Sequence, residues 1–359
     1  MPKKIIFSVT NDIVSDRRMI RICTTLSSAG FDVLLVGRKL ATSKPLPTYS
    51  FQTKRITCRF NKGPWFYAEY NIRLFWYLKK QKADMLGAVD YDTLKAVTRA
   101  AQSIGAKLIL DAHEWFEEVP ELEGREKVKK YWMRIARKNI PKTDIRYTVS
   151  DTIAEKLKER YGYKFDVIRN VPLLEEKEPS AIREDIILYL GVLNKGRGLE
   201  QIIMAMKEID AQLWLVGQGD VERDLIKMVS DENLHSKVIF KGFVPPEEVH
   251  DLLCKARIGL NLLDGSSESY QYSLANKFFD YVHAGLPQLC MDFPEYRRLN
   301  QEHGVAVTVN DLRTATLVYA CNHLLSDRNY WFTIHANCLR ARTSWCWENE
   351  EKLLLELLE

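Results

Sequence analysis

The sequence predicts an α/β chain folded as two Rossmann-like, doubly wound parallel-sheet domains with a cleft between them. Three observations predict this. Short apolar runs alternate with helical patterns through the first half, the alternation breaks over residues 171–185, and a second alternation follows. Strands interleaved with helices of about 10 to 15 residues are the signature of βαβ units and a parallel sheet. At 359 residues the chain is long enough for each domain to bury its own core.

In the first half the order is "KIIFSV", "DRRMIRICTTLSSAG", "FDVLLVG", "ADMLGAV", "YDTLKAVTRAAQSIG" and "KLILDA". A long amphipathic segment over 122–139, then "IRYTVS" and "DTIAEKLKERYG", close the series. "NVPLLEEKEPSAIRED" has two prolines, seven charged side chains and no sustained period, so it reads as a linker. The second series is "IILYLG", "LEQIIMAM", "QLWLVG", "VERDLIKMV", "KVIFKG", "PEEVHDLLCKA", "RIGLNLL", "SLANKFFDYVHAGLP", "PQLCM" and "GVAVTV". The expected domains are therefore 1–170 and 186–339, with a linker over 171–185. The tail 340–359 is too rich in tryptophan and leucine to stay exposed, so it is expected to pack back on the first domain.

Composition narrows the function. Lys plus Arg exceed Asp plus Glu by only four, which argues against a nucleic-acid binder and permits anionic small molecules. Seven cysteines, odd in number and without a CxxC pair, indicate neither a disulfide framework nor a zinc site and fit a reducing compartment. No run approaches the roughly 18 to 20 apolar residues of a membrane span, and the first apolar run is too short for a signal peptide. The expected location is cytoplasmic, with a peripheral seat on the inner face of a membrane as an extension of it.

The chemistry concentrates in the second half. In "SLANKFFDYVHAGLP" the apolar Leu274, Phe278 and Val282 form one helical face, while Asn276, Lys277 and Asp280 share another side. A lysine in a first helical turn opposes the helix dipole at a cost of a few tenths of a kcal/mol, roughly, unless an anion is near. "LYLGVLNKGRGLE" runs a strand into a loop with Gly191, Gly196 and Gly198 plus Lys195 and Arg197, a loop that suits a phosphate. Its spacing matches neither the dinucleotide fingerprint nor the P-loop, and tight βα turns explain its glycines equally well. Gly217, Gly219, Gly242 and Phe243 sit at the next strand ends, consistent with one ligand lying across them.

Taken in order, "YLGVLNKGRGLEQIIMAM", "LWLVGQGDVERDL", "VIFKGFVPPEEV" and "NKFFDYVHAGLP" resemble the nucleotide-sugar half of glycosyltransferase family 4, retaining enzymes of GT-B architecture. The resemblance covers 186–310, and "NDIVSDRRMIRI" and "DAHEWFEEVPEL" extend it into the first half. It implies a nucleotide-diphosphate-sugar donor and a glycan or lipid-linked glycan acceptor, plausible in surface polysaccharide synthesis, with no cofactor or metal. Arg197 takes the family's lysine position and, with Lys277, would hold the diphosphate. Asp280 takes the place of the second Glu of the Glu-x7-Glu motif and would accept from ribose hydroxyls; Phe243 and Val244 would meet the base. Tyr272 stands where the motif has its first Glu, which passes sugar recognition to Glu268 or the "SSESYQYS" loop, and Val192 replaces a second phosphate-binding Arg.

In the first domain the resemblance places His113, at the end of "LILDAHEW", against the donor sugar, where the residue alone reads more simply as structural. Asn11, Asp12, Asp16, Arg17 and Arg18 are expected on the acceptor side; the competing reading is a helix capped by Asp16 with a solvated basic face. Residues 59–82 interleave eight aromatics with basic side chains, which suits an anionic membrane interface, an aromatic acceptor groove or a core helix with a basic edge. Two rival functions stand beside the transferase: a nucleotide-sugar epimerase of the same architecture, and a catalytically silent relative that binds a nucleotide sugar or acts as a scaffold.

Overall fold

The computed structural model describes residues 2–119, 122, 124–265 and 268–359. The chain divides into two compact units, residues 1–170 with 350–359, and residues 171–349.

The first unit is built on a seven-stranded parallel sheet. Its strands are β1 (Lys4–Ser8), β2 (Asp32–Lys39), β3 (Gln52–Thr57), β4 (Met85–Val89), β5 (Lys107–Ala112), β6 (Ile145–Thr148) and β7 (Asp166–Val167), in the order β3-β2-β1-β4-β5-β6-β7. β1 and β4 are almost continuously apolar because helices cover both faces of such a sheet. α1 (Arg17–Ser28) starts where the Asp16 carboxylate accepts from the Met19 amide, and α5 (Asp151–Tyr161) starts on a Ser150 cap and ends at Gly162 with φ of 80°. Between them lie α2 (Gly63–Leu78), α3 (Asp90–Ile104) and α4 (Glu126–Asn139). Reversal of strand order between β1 and β4 marks the point where ligands sit in sheets of this kind, at the strands' C-terminal ends.

The second unit repeats the plan with β8 (Ile186–Leu190), β9 (Gln212–Val216), β10 (Val238–Gly242), β11 (Ile258–Asn261), β12 (Gln288–Met291) and β13 (Ala306–Val309), all parallel, in the order β10-β9-β8-β11-β12-β13. Its helices are α6 (Leu199–Ala205), α7 (Glu222–Asp231), α8 (Pro246–Lys255), α9 (Glu268–Tyr272), α10 (Asn276–His283), α11 (Pro294–His303), α12 (Thr314–Ser326) and α13 (Arg328–Ser344). The strand-order reversal here falls between β8 and β11.

Three features differ from expectation. The proline-rich stretch 171–185 is not a free linker: Val171 is fully buried, the Trp347 amide donates to Pro172 O at 2.9 Å, and Arg183 donates to Leu253 O and Ala284 O. Arg183, Glu175, Asp185 and parts of the backbone find partners in the second unit, so the stretch is part of that unit. Within the tail, Trp345 packs on Phe278 and Phe279 of the second unit at 6.1 and 5.6 Å between ring centroids. The change of unit falls at 349/350, inside the last helix α14 (Trp347–Leu358), rather than at 340. From there Glu350 accepts from the Arg169 amide, Glu351 accepts from the Thr25 hydroxyl, and Leu354 is fully buried. Finally, the "SLANKFFDYVHAGLP" helix is shorter than its pattern, and the "SSESYQYS" loop holds the short helix α9; Ser266 and Ser267 of that loop lie outside the described residues.

Gly217 shows what holds the strand-end loops together. Its φ is 134°, and a Cβ there would stand 1.9 Å from Gly191 O; one on Gly219 would stand 2.2 Å from Leu193 O. Gly217→Ala is therefore expected to cost about 3 kcal/mol or more, since both the backbone conformation and the contact forbid a side chain. A melting curve within a degree of the parent would refute this account of the loop.

Candidate functional site

In the second unit the loops after β8 and β11 meet at the strand-order reversal. Asp264 N donates to Gly196 O at 3.0 Å, and a Cβ on Gly196 would lie 2.9 Å from the Tyr270 ring and 3.0 Å from the Asp264 carboxylate. Arg197 projects between these glycines with its guanidinium carbon 5.2 Å from the Tyr270 ring centroid. Lys277, second residue of α10, lays its ammonium 3.8 Å from the centroid of the Tyr189 ring, and the side chain is only 8% exposed. Among the described residues the Lys277 Nζ has no hydrogen-bond partner, and neither does Arg197 Nε. Burial first, then the Arg197 charge, hold the Lys277 amine well below its ordinary value.

Two cations facing aromatic rings, one of them desolvated without a counterion, are a costly arrangement unless an anion enters. α10 adds to it, because its N-cap Ala275 offers no side-chain acceptor to the first-turn amides. Tyr189 is fixed under Lys277 by donating to Val192 O at 2.8 Å. Asp280 lies one turn beyond Lys277 and is half-buried; Asn276 is exposed at the helix start. Glu268 is exposed and Tyr272 half-buried on α9, while Phe243, 69% exposed, and half-buried Val244 follow β10. Gly217 and Gly219 have a reason to lack a side chain besides any ligand, namely the backbone contacts with Gly191 and Leu193.

The first unit holds a second polar cluster at its own strand-order reversal. Buried Asp111 lies between Arg18 Nη2 at 3.0 Å and His113 Nε2 at 3.1 Å, and Arg18 also donates to Ile168 O. Burial pushes the Asp111 carboxyl up, but Arg18 and then His113 outweigh it and bring it to about 2. For His113 burial works against the charge and Asp111 restores it, raising the imidazole to about 9. The His113 amide donates to Asp90 Oδ1 at 2.8 Å, and Asp90 opens α3 with a φ of 56°, an uncommon value for a residue with a side chain. Burial lifts Asp90 to about 8 and Asp92 to about 6, and Thr10 donates to Asp92.

Of the expected acceptor-side residues, two have structural work. Asp12 is buried in an ion pair with Arg55 at 2.6 Å, and Asp16 caps α1 while accepting from Asn11 Nδ2 at 3.0 Å. Asn11 and Arg17 are exposed, whereas Arg18, expected on a solvated face, is buried against Asp111. Among the described residues no group of three or more His, Cys, Asp or Glu could hold a metal ion.

Two family models match the chain. The one described as Glycosyltransferase Family 4 covers residues 16–172, and the one described as Glycosyl transferases group 1 covers residues 184–327. The chain belongs to glycosyltransferase family 4. Solved structures similar to this glycosyltransferase share its GT-B fold at low identity. Sucrose-phosphate synthase from Thermosynechococcus elongatus aligns with a TM-score of 0.83 at 16% identity, over 99% of this chain and 98% of that one. Anabaena HepE, described in complex with UDP and glucose, gives 0.77 at 13% identity over 99% of each chain. WaaG, described as involved in lipopolysaccharide biosynthesis, gives 0.73 at 14% identity over 98% of each. No curated protein sequence matches the glycosyltransferase.

Several site neighbours of the transferase escaped sequence reasoning. Asp90 and Asp92 in "VDYDT" read as ordinary helix-start acids, although two carboxylates just after an all-apolar strand are a usable signal. Tyr189 and Tyr270 left none, because nothing local shows that an aromatic ring will lie beneath a cation.

Proposed function

We propose that the protein transfers a sugar from a nucleotide-diphosphate donor, with retention at the anomeric carbon, to a glycan or lipid-linked glycan. The observation that carries the reading is the desolvated, unpartnered Lys277 ammonium beside Arg197 at an uncapped helix start. A diphosphate supplies both cations with a counterion, for which the described residues provide no ion pair, and it gains charge as it leaves, so the two residues stabilise departure more than ground-state binding. As the acceptor hydroxyl bonds to the anomeric carbon, the bond from that carbon to the phosphate oxygen breaks. The departing diphosphate takes the hydroxyl proton, so the reaction is proposed to run without a metal or cofactor. His113 is assigned to the donor sugar and Asp280 to the ribose. The likeness to a protein described with UDP makes a uracil nucleotide the first donor to test, and the likeness to WaaG favours surface polysaccharide as the setting.

The test is a thermal-shift screen against UDP, GDP, ADP and their sugar conjugates, since a ligand that binds only the native state raises the melting temperature. A selective shift with one base supports the reading; no shift at millimolar concentration with folded protein transfers weight to the silent relative. Asp280→Ala is expected to weaken the selected nucleotide about 10- to 100-fold, the worth of a charge-assisted hydrogen bond, at unchanged melting temperature. Unchanged affinity would remove Asp280 from the site.

A further inference from the structure

α2 carries two opposite faces. Phe66, Tyr70, Leu74 and Leu78 recur every four residues and are buried. Trp65, Ile72 and Trp76 fall within about 60° of one another on the other side, at 100° per residue. They are 69%, 60% and 55% exposed. A soluble core helix has no use for three large apolar side chains on its water face. The stripe runs into a groove that α2 shares with α3 and α4, lined by Phe75, Trp132 and the half-exposed Tyr131, with Lys95 and Arg99 on its wall.

Charge around the groove is predominantly basic. Lys62, Arg73, Lys79 and Lys80 flank the α2 stripe, and Lys127, Lys130, Arg134, Arg137 and Lys138 line the exposed side of α4. Over 62–82, 90–104 and 126–139 the acids are Glu69, paired with Arg73, Glu126, and Asp90 and Asp92 at the start of α3, of which Asp92 lines the groove and accepts from Thr10. Exposed tryptophans ringed by exposed lysines and arginines match an interface whose headgroups are anionic and whose interior is apolar. A neutral glycan would explain the aromatic stripe but not the surplus of cations. We propose that the outer faces of α2 and α4 seat the protein on an anionic phospholipid bilayer, with Trp65, Ile72 and Trp76 entering the headgroup boundary. This stands independently of the donor reading, and its test reads binding rather than turnover.

The full chain is pelleted with vesicles of phosphatidylcholine alone or with 30% phosphatidylglycerol by design, roughly a common anionic content. The expected result is pelleting with the anionic vesicles, little with the neutral ones, and release at about 1 M salt, where screening acts within about 3 Å. Trp65→Ala/Trp76→Ala is expected to lower the partition coefficient about tenfold or more with an unchanged melting curve. Tyr319→Ala, which removes an exposed aromatic from α12, is expected to pellet like the parent. Three results would overturn the proposal: no pelleting with either vesicle, as a groove reserved for a soluble acceptor glycan predicts; undiminished pelleting of the double variant; or equal loss in Tyr319→Ala.

Discussion

Lys277→Met is expected to lower kcat/KM by about 10²- to 10³-fold while raising the melting temperature of the ligand-free protein. The opposite signs follow from one fact: the ammonium is buried on the Tyr189 ring with no hydrogen-bond partner among the described residues to offset its lost hydration. A folded-state amine held below its ordinary value penalises the native state wherever the unfolded lysine is charged. Lys277 should therefore contribute a rise of ligand-free stability with pH through the window from that depressed value up to about 10.4, the ordinary lysine value, read as the difference between the parent and Lys277→Met. Methionine fills the same space without charge and should abolish this slope. A bound diphosphate reverses the balance by drawing a proton onto Lys277, so nucleotide affinity should fall as pH rises through the same window. Calorimetry in two buffers of different ionisation enthalpy reads that proton uptake. A variant that melts lower than the parent, or keeps its activity, would show that Lys277 is a core residue rather than the seat of an anion.

The position of Lys277 was legible and its depth was not. The four-residue recurrence of Phe278 and Val282 marked the helix, and a lysine in its first turn was the signal for the proposed anion. Burial on Tyr189 depends on a strand far away in the sequence, which no local pattern reports. The same division runs through the fold. Buried parallel strands such as β1 and β4 announce themselves as apolar runs, but β3, "QTKRIT", is largely exposed and polar, and β7 is two residues long. Glycines were read ambiguously for a physical reason: a loop that approaches a phosphate and a loop that approaches another backbone both exclude Cβ. Gly217 and Gly219 belong to the second kind. Arg18 with Asp111, and Asp12 with Arg55, are long-range ion pairs, so a motif seen as an exposed polar stretch lies half inside the core.

His113→Asn is expected to lower activity about 10²- to 10³-fold at neutral pH and to remove an alkaline limb from the activity profile. Asp111, itself fixed by Arg18, lies 3.1 Å from Nε2 and keeps the imidazole charged to about 9, so His113 is expected to meet the proposed donor as a cation. At saturating donor, parent activity should hold to that pH and fall beyond it as the imidazolium is lost. Stability carries the same signature. A histidine raised from about 6.5 in the unfolded chain contributes fully below about 6.5, and its contribution is lost as pH rises through the folded value near 9. Asp90 acts in the same direction, because the folded state holds up to about 8 a proton that the unfolded carboxyl releases near 4. These two groups thus contribute a decline in melting temperature from pH 6.5 to 9, opposite in sign to the contribution of Lys277, and the difference between the parent and His113→Asn should isolate the part owed to the imidazole. A purely structural histidine predicts the flattened melting profile with activity retained, whereas loss of both assigns the Arg18–Asp111–His113 chain to holding a charged donor ready for the substrate.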